Sequence, residues 1–207
     1  MSSNPLQRAR FALAAHKVTQ LPDDAGAEVA FAGRSNAGKS SALNALTGQR
    51  ALARTSKTPG RTQQMVVFTL DEHTRLVDLP GYGYAKVPES LRAHWRKEID
   101  AYLNQRESLC GVVLIADIRH ELKEFDRQML HFCSASGLQC HLLLTKADKL
   151  SRGQAAAAVE RARTLCRREG WPASVQSFSS SAGSGLESAR GTIMEMLEGT
   201  PDAEASA

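Results

Sequence analysis

At 207 residues the chain is long enough for one well-buried domain and too short for two. Its 42% hydrophobic and 23% charged content is that of a globular protein, and the longest apolar run, Gly111 to Ala116, is far below the ~20 residues that span a bilayer. The net charge of +4 is only mildly basic, no secretory signal is visible, and the four cysteines show neither C-x-x-C pairing nor zinc spacing, so a cytoplasmic protein without a disulfide framework is expected.

Residues 1–25 read as a polar N-terminal extension whose amphipathic piece, Phe11 to Val18, packs on the domain or frays. Val29 to Ala32 is a short apolar strand, and Gly33-Arg-Ser-Asn-Ala-Gly38-Lys39-Ser40 follows it directly. A helix then runs to about Leu46 and stops at Gly48. Arg50 to Gln64 has four cations (Arg50, Arg54, Lys57, Arg61), no acid and no periodicity, the mark of a long functional loop. Met65 to Leu70 and Arg75 to Asp78 form an antiparallel hairpin. Asp78-Leu79-Pro80-Gly81 ends it and opens a second loop, Tyr82 to Pro88.

Glu89 to Arg106 is an amphipathic helix with Leu91, Trp95, Ile99, Tyr102 and Leu103 turned inward. Val112 to Asp117 has the continuous apolar character of a buried parallel strand. A helix from Leu122 to Ser136, a strand from Cys140 to Leu144, a Ser151-capped helix to about Glu169, a strand at Ser174 to Ser177 and a last helix, Leu186 to Leu197, complete the series. Alternating strands and helices of this kind make a three-layer α/β fold, with a six-stranded, mostly parallel sheet and one antiparallel edge strand. Residues 26–199 form the domain, and 200–207 are expected to be a disordered tail.

The chemistry gathers in the loops. Gly33 and Gly38 match G-x-x-x-x-G-K-[ST], in which backbone amides cradle phosphates, Lys39 adds a cation and Ser40 offers a hydroxyl to magnesium. This context makes the chain a P-loop NTPase. Asp78 supplies a carboxylate for the magnesium shell, and Gly81, three residues on, an amide for a terminal phosphate. Thr145-Lys146-Ala147-Asp148 matches the N/T-K-x-D pattern. A fixed carboxylate there accepts guanine N1–H and the 2-amino group and faces adenine unpaired, a difference worth ~10⁴-fold or more. Ser179 and Ser180 fall where backbone amides reach the guanine carbonyl. Thr55, Thr58 and Thr62 are candidates to complete the magnesium shell, and Thr62, directly before the edge strand, is favoured.

Gly33 to Ser41, Thr55-Ser-Lys-Thr-Pro-Gly-Arg-Thr-Gln63, Asp78-Leu-Pro-Gly-Tyr-Gly-Tyr-Ala85 and Thr145 to Asp148 together resemble the bacterial EngB GTPases, also called YihA or YsxC. The likeness covers about Gly26 to Leu197. It implies a Ras-like G domain that binds GTP and GDP with Mg²⁺, and a role in assembling the large ribosomal subunit and in cell division and septation. By the same resemblance Ser40 and Thr62 match the metal ligands, with Asp78 acting on the ion through water. Nucleotide contacts match Gly33, Arg34, Ser35, Asn36, Ala37, Gly38, Lys39 and Ser40; Gly60, Arg61, Thr62, Gln63 and Gln64; and Asp78, Leu79, Pro80 and Gly81. They also match Thr145, Lys146, Ala147 and Asp148, with the loosest motif at Phe178, Ser179 and Ser180.

The catalytic group is open. Tyr82 stands where many GTPases have a water-orienting glutamine, which leaves Lys39, Asn36 and Thr62 as candidates and points to a partner or a bound ion. Asn36 suggests K⁺ beside the phosphates, in the manner of an arginine finger, or simply fixes the loop's shape. The leading expectation is a slow GTPase switch, monomeric and free of the membrane, that docks its basic loop and helices on ribosomal RNA or a ribosomal protein. A nucleotide sensor with negligible hydrolysis is the alternative. An ATP-dependent phosphotransferase is disfavoured by Thr145 to Asp148.

Overall fold

The structure is a computed structural model that describes residues 4–53, 64–82 and 89–199, with side chains from 96 onward in the last segment. Its strands are β1 (Arg10–Ala15), β2 (Ala27–Gly33), β3 (Met65–Thr69), β4 (Thr74–Asp78), β5 (Leu109–Asp117), β6 (Gln139–Thr145) and β7 (Ala173–Ser177). Its helices are α1 (Lys39–Thr47), α2 (Glu89–Gln105), α3 (Glu124–Ser136), α4 (Arg152–Glu169) and α5 (Leu186–Glu198). The sites expected at Gly60 to Gln63, Thr55 and Thr58, the loop Gly83 to Pro88, the Leu91 and Trp95 side chains and the tail lie outside the described residues.

Every residue of β2 is buried, and its alternate side chains feed two different cores. Ala30 and Ala32 face one layer, Val29 and Phe31 the other. β5 divides in the same way, with Val112 and Leu114 on one side and Val113 and Ile115 on the other. Apolar surface on both faces is why these strands read as unbroken runs rather than as alternation. Leu43 and Leu46 of α1 and Ile193 and Met196 of α5 cover one face. Tyr102, Leu130, Ala162 and Cys166, from α2, α3 and α4, cover the other. The helix stops fall where the glycines predicted them: Gly48, Gly137 and Gly170 all take left-handed φ values, of 68°, 67° and 71°.

The sheet order is β1-β3-β4-β2-β5-β6-β7, so there are seven strands rather than the six expected. The extra strand comes from the N-terminal extension. Arg10 to Ala15, read from the sequence as part of an amphipathic piece, pairs antiparallel with β3 from Arg10↔Thr69 to Ala15↔Met65. β3 is therefore the second strand in and not the edge, and it runs antiparallel to both β1 and β4. Its outer amides and carbonyls need partners, and β1 supplies them. Leu6, fully buried beside α1 within an Asn4-capped turn, pins the segment that leads into β1.

The far end of the sheet carries a buried ionic hub that the sequence did not signal. Glu28, at the start of β2, is 1% exposed and accepts hydrogen bonds from Arg75 (3.0 Å), from Arg106 Nη2 (2.7 Å) and from the Tyr102 hydroxyl (3.0 Å). One carboxylate thereby ties β2, β4 and the end of α2 together. Removing it strips the buried Arg75 of this carboxylate and leaves Arg106 with Asp24 at 3.4 Å, which costs about 3–5 kcal/mol. Glu28→Ala should lower the unfolding free energy in urea by that amount, and a loss under about 1 kcal/mol would show the hub to be dispensable.

Candidate functional site

β2, β4, β5, β6 and β7 are mutually parallel, so their C-terminal ends share one edge of the sheet. After β2 the chain turns to β3 and β4 on one side and later returns to β5 on the other. That reversal is where an open α/β sheet leaves a crevice for ligands.

The glycine loop leaves β2 at this point. A Cβ on Gly33 would stand 2.7 Å from the Ile115 carbonyl oxygen, so only glycine allows β2 to approach β5 this closely. Gly38, at φ 97°, caps α1 with backbone alone. The first amides of α1 have no side-chain cap, and such an N-terminus favours anions. Asn36 takes φ 63°, a left-handed conformation that asparagine tolerates better than most residues. Ser40 lies in the first turn of α1, and Arg34, Ser35 and Ser40 are half-buried.

Lys39 reaches across to β4, where its ammonium group pairs with the Asp78 carboxylate. Burial pushes the Asp78 carboxyl up, against the pull of Lys39. Leu79 is buried and donates its amide to Phe31 O at 3.0 Å, and this tethers the Asp78 to Gly81 turn to β2.

The β6 end joins the glycine loop through side chains. Thr145, buried, has its hydroxyl within hydrogen-bond reach of Ala37 O and Ala116 O. Lys146 stands in the left-handed region at φ 61° and sends its ammonium group to Asn36 O at 2.7 Å and to Asp117 at 2.9 Å. Asp117 also takes Arg119 at 2.7 Å. Partial burial works to raise its carboxyl, but the bonds from Arg119 and Lys146 prevail and hold it well below the usual range. Asp117 was absent from the sequence-based site. A charged residue closing an apolar strand at the ligand edge was the available signal.

Asp148 faces the last loop. The Ser179 hydroxyl donates to its Oδ1 at 2.6 Å, and Lys149 approaches its Oδ2 at 3.2 Å. Ser179 first, then Lys149, lowers the Asp148 carboxyl to about 2, so it is ionised at neutral pH and can accept from two donors. Ser179 is fully buried, and its hydroxyl is engaged with Asp148. Phe178 is also fully buried and belongs to the α1/α5 core. It contributes backbone alone, through its amide to Leu144 O and its carbonyl to the Ala147 amide. Ser180 follows at the exposed rim.

The structure therefore brings Gly33 to Ser40, Asp78 to Gly81, Thr145 to Asp148 and Phe178 to Ser180 to one edge. Gln64, at the start of β3, lies by His16, with its Nε2 3.0 Å from the ring Nε2. Among the described residues no cluster of three or more His, Cys, Asp or Glu could hold a metal, and no helix is long and apolar enough to cross a membrane. On α4 two arginines are paired with acids of the same helix, Arg167 with Glu160 and Arg168 with Glu169.

A family model described as "50S ribosome-binding GTPase" matches residues 28–146. A "Probable GTP-binding protein EngB" of Stenotrophomonas maltophilia (strain K279a) is 59% identical over 189 residues, 91% of this chain and 94% of that one. Its namesake in Xanthomonas axonopodis pv. citri (strain 306) is 54% identical over 201 residues, 96% and 94% of the two chains. The crystal structure of a probable GTP-binding protein engB superposes with a TM-score of 0.66 at 22% identity, over 84% of this chain and all of that one. At that identity the likeness speaks for the fold, a P-loop GTPase α/β domain.

If Asp148 reads the base, Asp148→Asn should weaken GTP binding by roughly 100-fold or more and favour xanthosine triphosphate, which replaces the 2-amino donor with a carbonyl. Ser179→Ala should weaken GTP by only about fivefold, because the carboxylate stays but is less firmly held. Competition of both nucleotides against labelled GDP measures this. Unchanged selectivity in Asp148→Asn would move base reading elsewhere.

Proposed function

The chain belongs to the EngB family of GTP-binding proteins, and on that footing we propose that it is a slow GTPase switch acting in assembly of the large ribosomal subunit. The observation that carries the reading is the joining of the two halves of the edge: Lys146, from the base-reading motif, is bonded to a carbonyl of the phosphate loop. A ligand that spans both, with a guanine at Asp148 and phosphates over Gly33 to Ser40, fits this arrangement.

Lys39 exchanges Asp78 for the outer phosphates as nucleotide enters, and the amides of the glycine loop and α1 take up the remaining negative charge. The Gly81 amide meets the terminal phosphate and distinguishes GTP from GDP. The donor set suits a hard divalent cation, since Lys39 holds the Asp78 carboxylate against the start of α1, where Ser40 offers an alcohol oxygen. Ser40 and Thr62 would hold Mg²⁺, with Asp78 acting through water. When bound, the ion neutralises phosphate charge. The switch role falls to the segments that follow α1 and Tyr82, which respond to the third phosphate and to its loss.

Hydrolysis draws on a group other than residue 82. The left-handed turn at Asn36 supports its role in shaping the loop, and K⁺ beside it remains the proposed source of extra positive charge. GTP turnover should rise at least severalfold when K⁺ replaces Na⁺. Equal rates with unchanged nucleotide affinity would leave Asn36 as a shaping residue alone.

The partner is the large ribosomal subunit, through its RNA or a protein, met by a cytoplasmic monomer whose activity supports cell division and septation. Wild-type protein should co-sediment with large subunits in GTP more than in GDP, with affinity falling steeply as salt rises. Lys39→Ala should lose both nucleotide binding and this dependence. No co-sedimentation in either nucleotide would overturn the ribosomal reading and leave the GTP site intact.

A further inference from the structure

Tyr82, the residue after Gly81, is held from three directions. Its amide donates to Gly33 O at 3.3 Å and its carbonyl accepts from the Ser35 amide at 2.9 Å, so its backbone straddles Arg34 in a short parallel bridge. Its ring packs against Phe125 with centroids 5.4 Å apart. Its hydroxyl donates to Asp126 Oδ1 at 2.9 Å. Asp126 is 2% exposed, and its other oxygen accepts the Lys123 amide at 2.9 Å at the start of α3. The glycine loop, the exit from β4 and the first turn of α3 thus meet at one residue, the loop through its backbone and α3 through its side chain.

This arrangement differs from what a water-orienting residue requires. The phenol is spent on α3, while the backbone on either side of it is spliced into the phosphate loop. We propose that Asp126 is a positioning residue for nucleotide binding, holding Tyr82 so that the Gly81 amide and the Arg34–Ser35 turn of the phosphate loop stay in one rigid unit. The proposal rests on the reading of Gly81 as the donor to the terminal phosphate.

The chemistry of the contact supports it. Burial first, and then the Asp126 charge, push the Tyr82 hydroxyl well above its usual range, so it remains a donor at neutral pH. Burial also raises the Asp126 carboxyl, and a buried carboxylate oxygen left without its phenol is costly, so the contact is held firmly. Asp126 does its work through Tyr82. GDP presents no terminal phosphate to Gly81, so loss of the contact weakens GDP less than GTP, and what GDP loses comes through the Arg34–Ser35 turn.

Tyr82→Phe removes the hydroxyl and keeps the ring. It should weaken a non-hydrolysable GTP analogue about five- to tenfold and GDP less than twofold. Asp126→Ala should show the same split, together with a lower thermal midpoint from the lost Lys123 bond, and the double variant should lose no more GTP affinity than either single change. Equal weakening of both nucleotides in Tyr82→Phe, or no weakening of either, overturns the proposal, since a merely structural contact would not separate them. Gly81→Ala is measured alongside. If it leaves analogue binding unchanged, the reading of Gly81 fails and the proposal falls with it. If it weakens the analogue while Tyr82→Phe does not, only the positioning role is lost.

Discussion

Lys146 Nζ lies 2.7 Å from the Asn36 carbonyl oxygen and 2.9 Å from the Asp117 carboxylate, and that ammonium group joins the loop after β2 to the ends of β5 and β6. The phosphate loop and the base-reading loop come from strands two places apart in the sheet, with β5 between them. Lys146 spans the gap by meeting a carboxylate at the end of β5 and a carbonyl from the loop after β2. Charge-assisted bonds of this kind are about twice as strong as neutral ones, and here two of them converge on a half-exposed group. The Thr145 hydroxyl reinforces the link from beneath. On the proposed reading of the two loops, a nucleotide would bridge them at low entropic cost because they are already joined.

The opposite end of the sheet is tied just as firmly and by a different means. Glu28 gathers Arg75, Arg106 and Tyr102 where β2, β4 and α2 converge, far from the ligand edge. Buried ion networks of this sort add little net stability compared with apolar packing, and they specify one arrangement because any other leaves a charge stranded. Here the arrangement specified is the position of the last turn of α2. The N-terminal segment adds a second restraint on the same helix, since the Val18 amide donates to Glu98 at 3.0 Å. α2, which follows the loop after Gly81, is therefore anchored at the end remote from the nucleotide.

Local signals were strong wherever a single backbone conformation or a single burial pattern was at stake. The continuous apolar runs of β2 and β5, the glycine stops of α1, α3 and α4 and the Ser151 cap were legible because each is decided within a few residues. The site loops were legible for a related reason. Gly33, Gly38 and Lys39 form a contiguous string, and Thr145 to Asp148 form another. Asp117 and Asp126 escaped notice because each acts on a residue distant in sequence, and neither belongs to a motif. β1 was missed for the same kind of reason: Arg10 to Ala15 has no strong period of its own, and it becomes a strand because β3 presents an unpaired edge.

The sequence by itself determined the layered α/β class and the glycine-loop and Thr145 to Asp148 strings assigned to phosphate and guanine, because those depend on backbone freedom and side-chain chemistry at neighbouring positions. Tertiary structure decided the rest. It made the sheet seven-stranded, sent the Phe178 ring into the core, turned the Ser179 hydroxyl onto Asp148 and attached the Tyr82 phenol to α3. Each of these is a contact between segments far apart along the chain, and its energy comes from water excluded between them, a quantity no local pattern of residues contains.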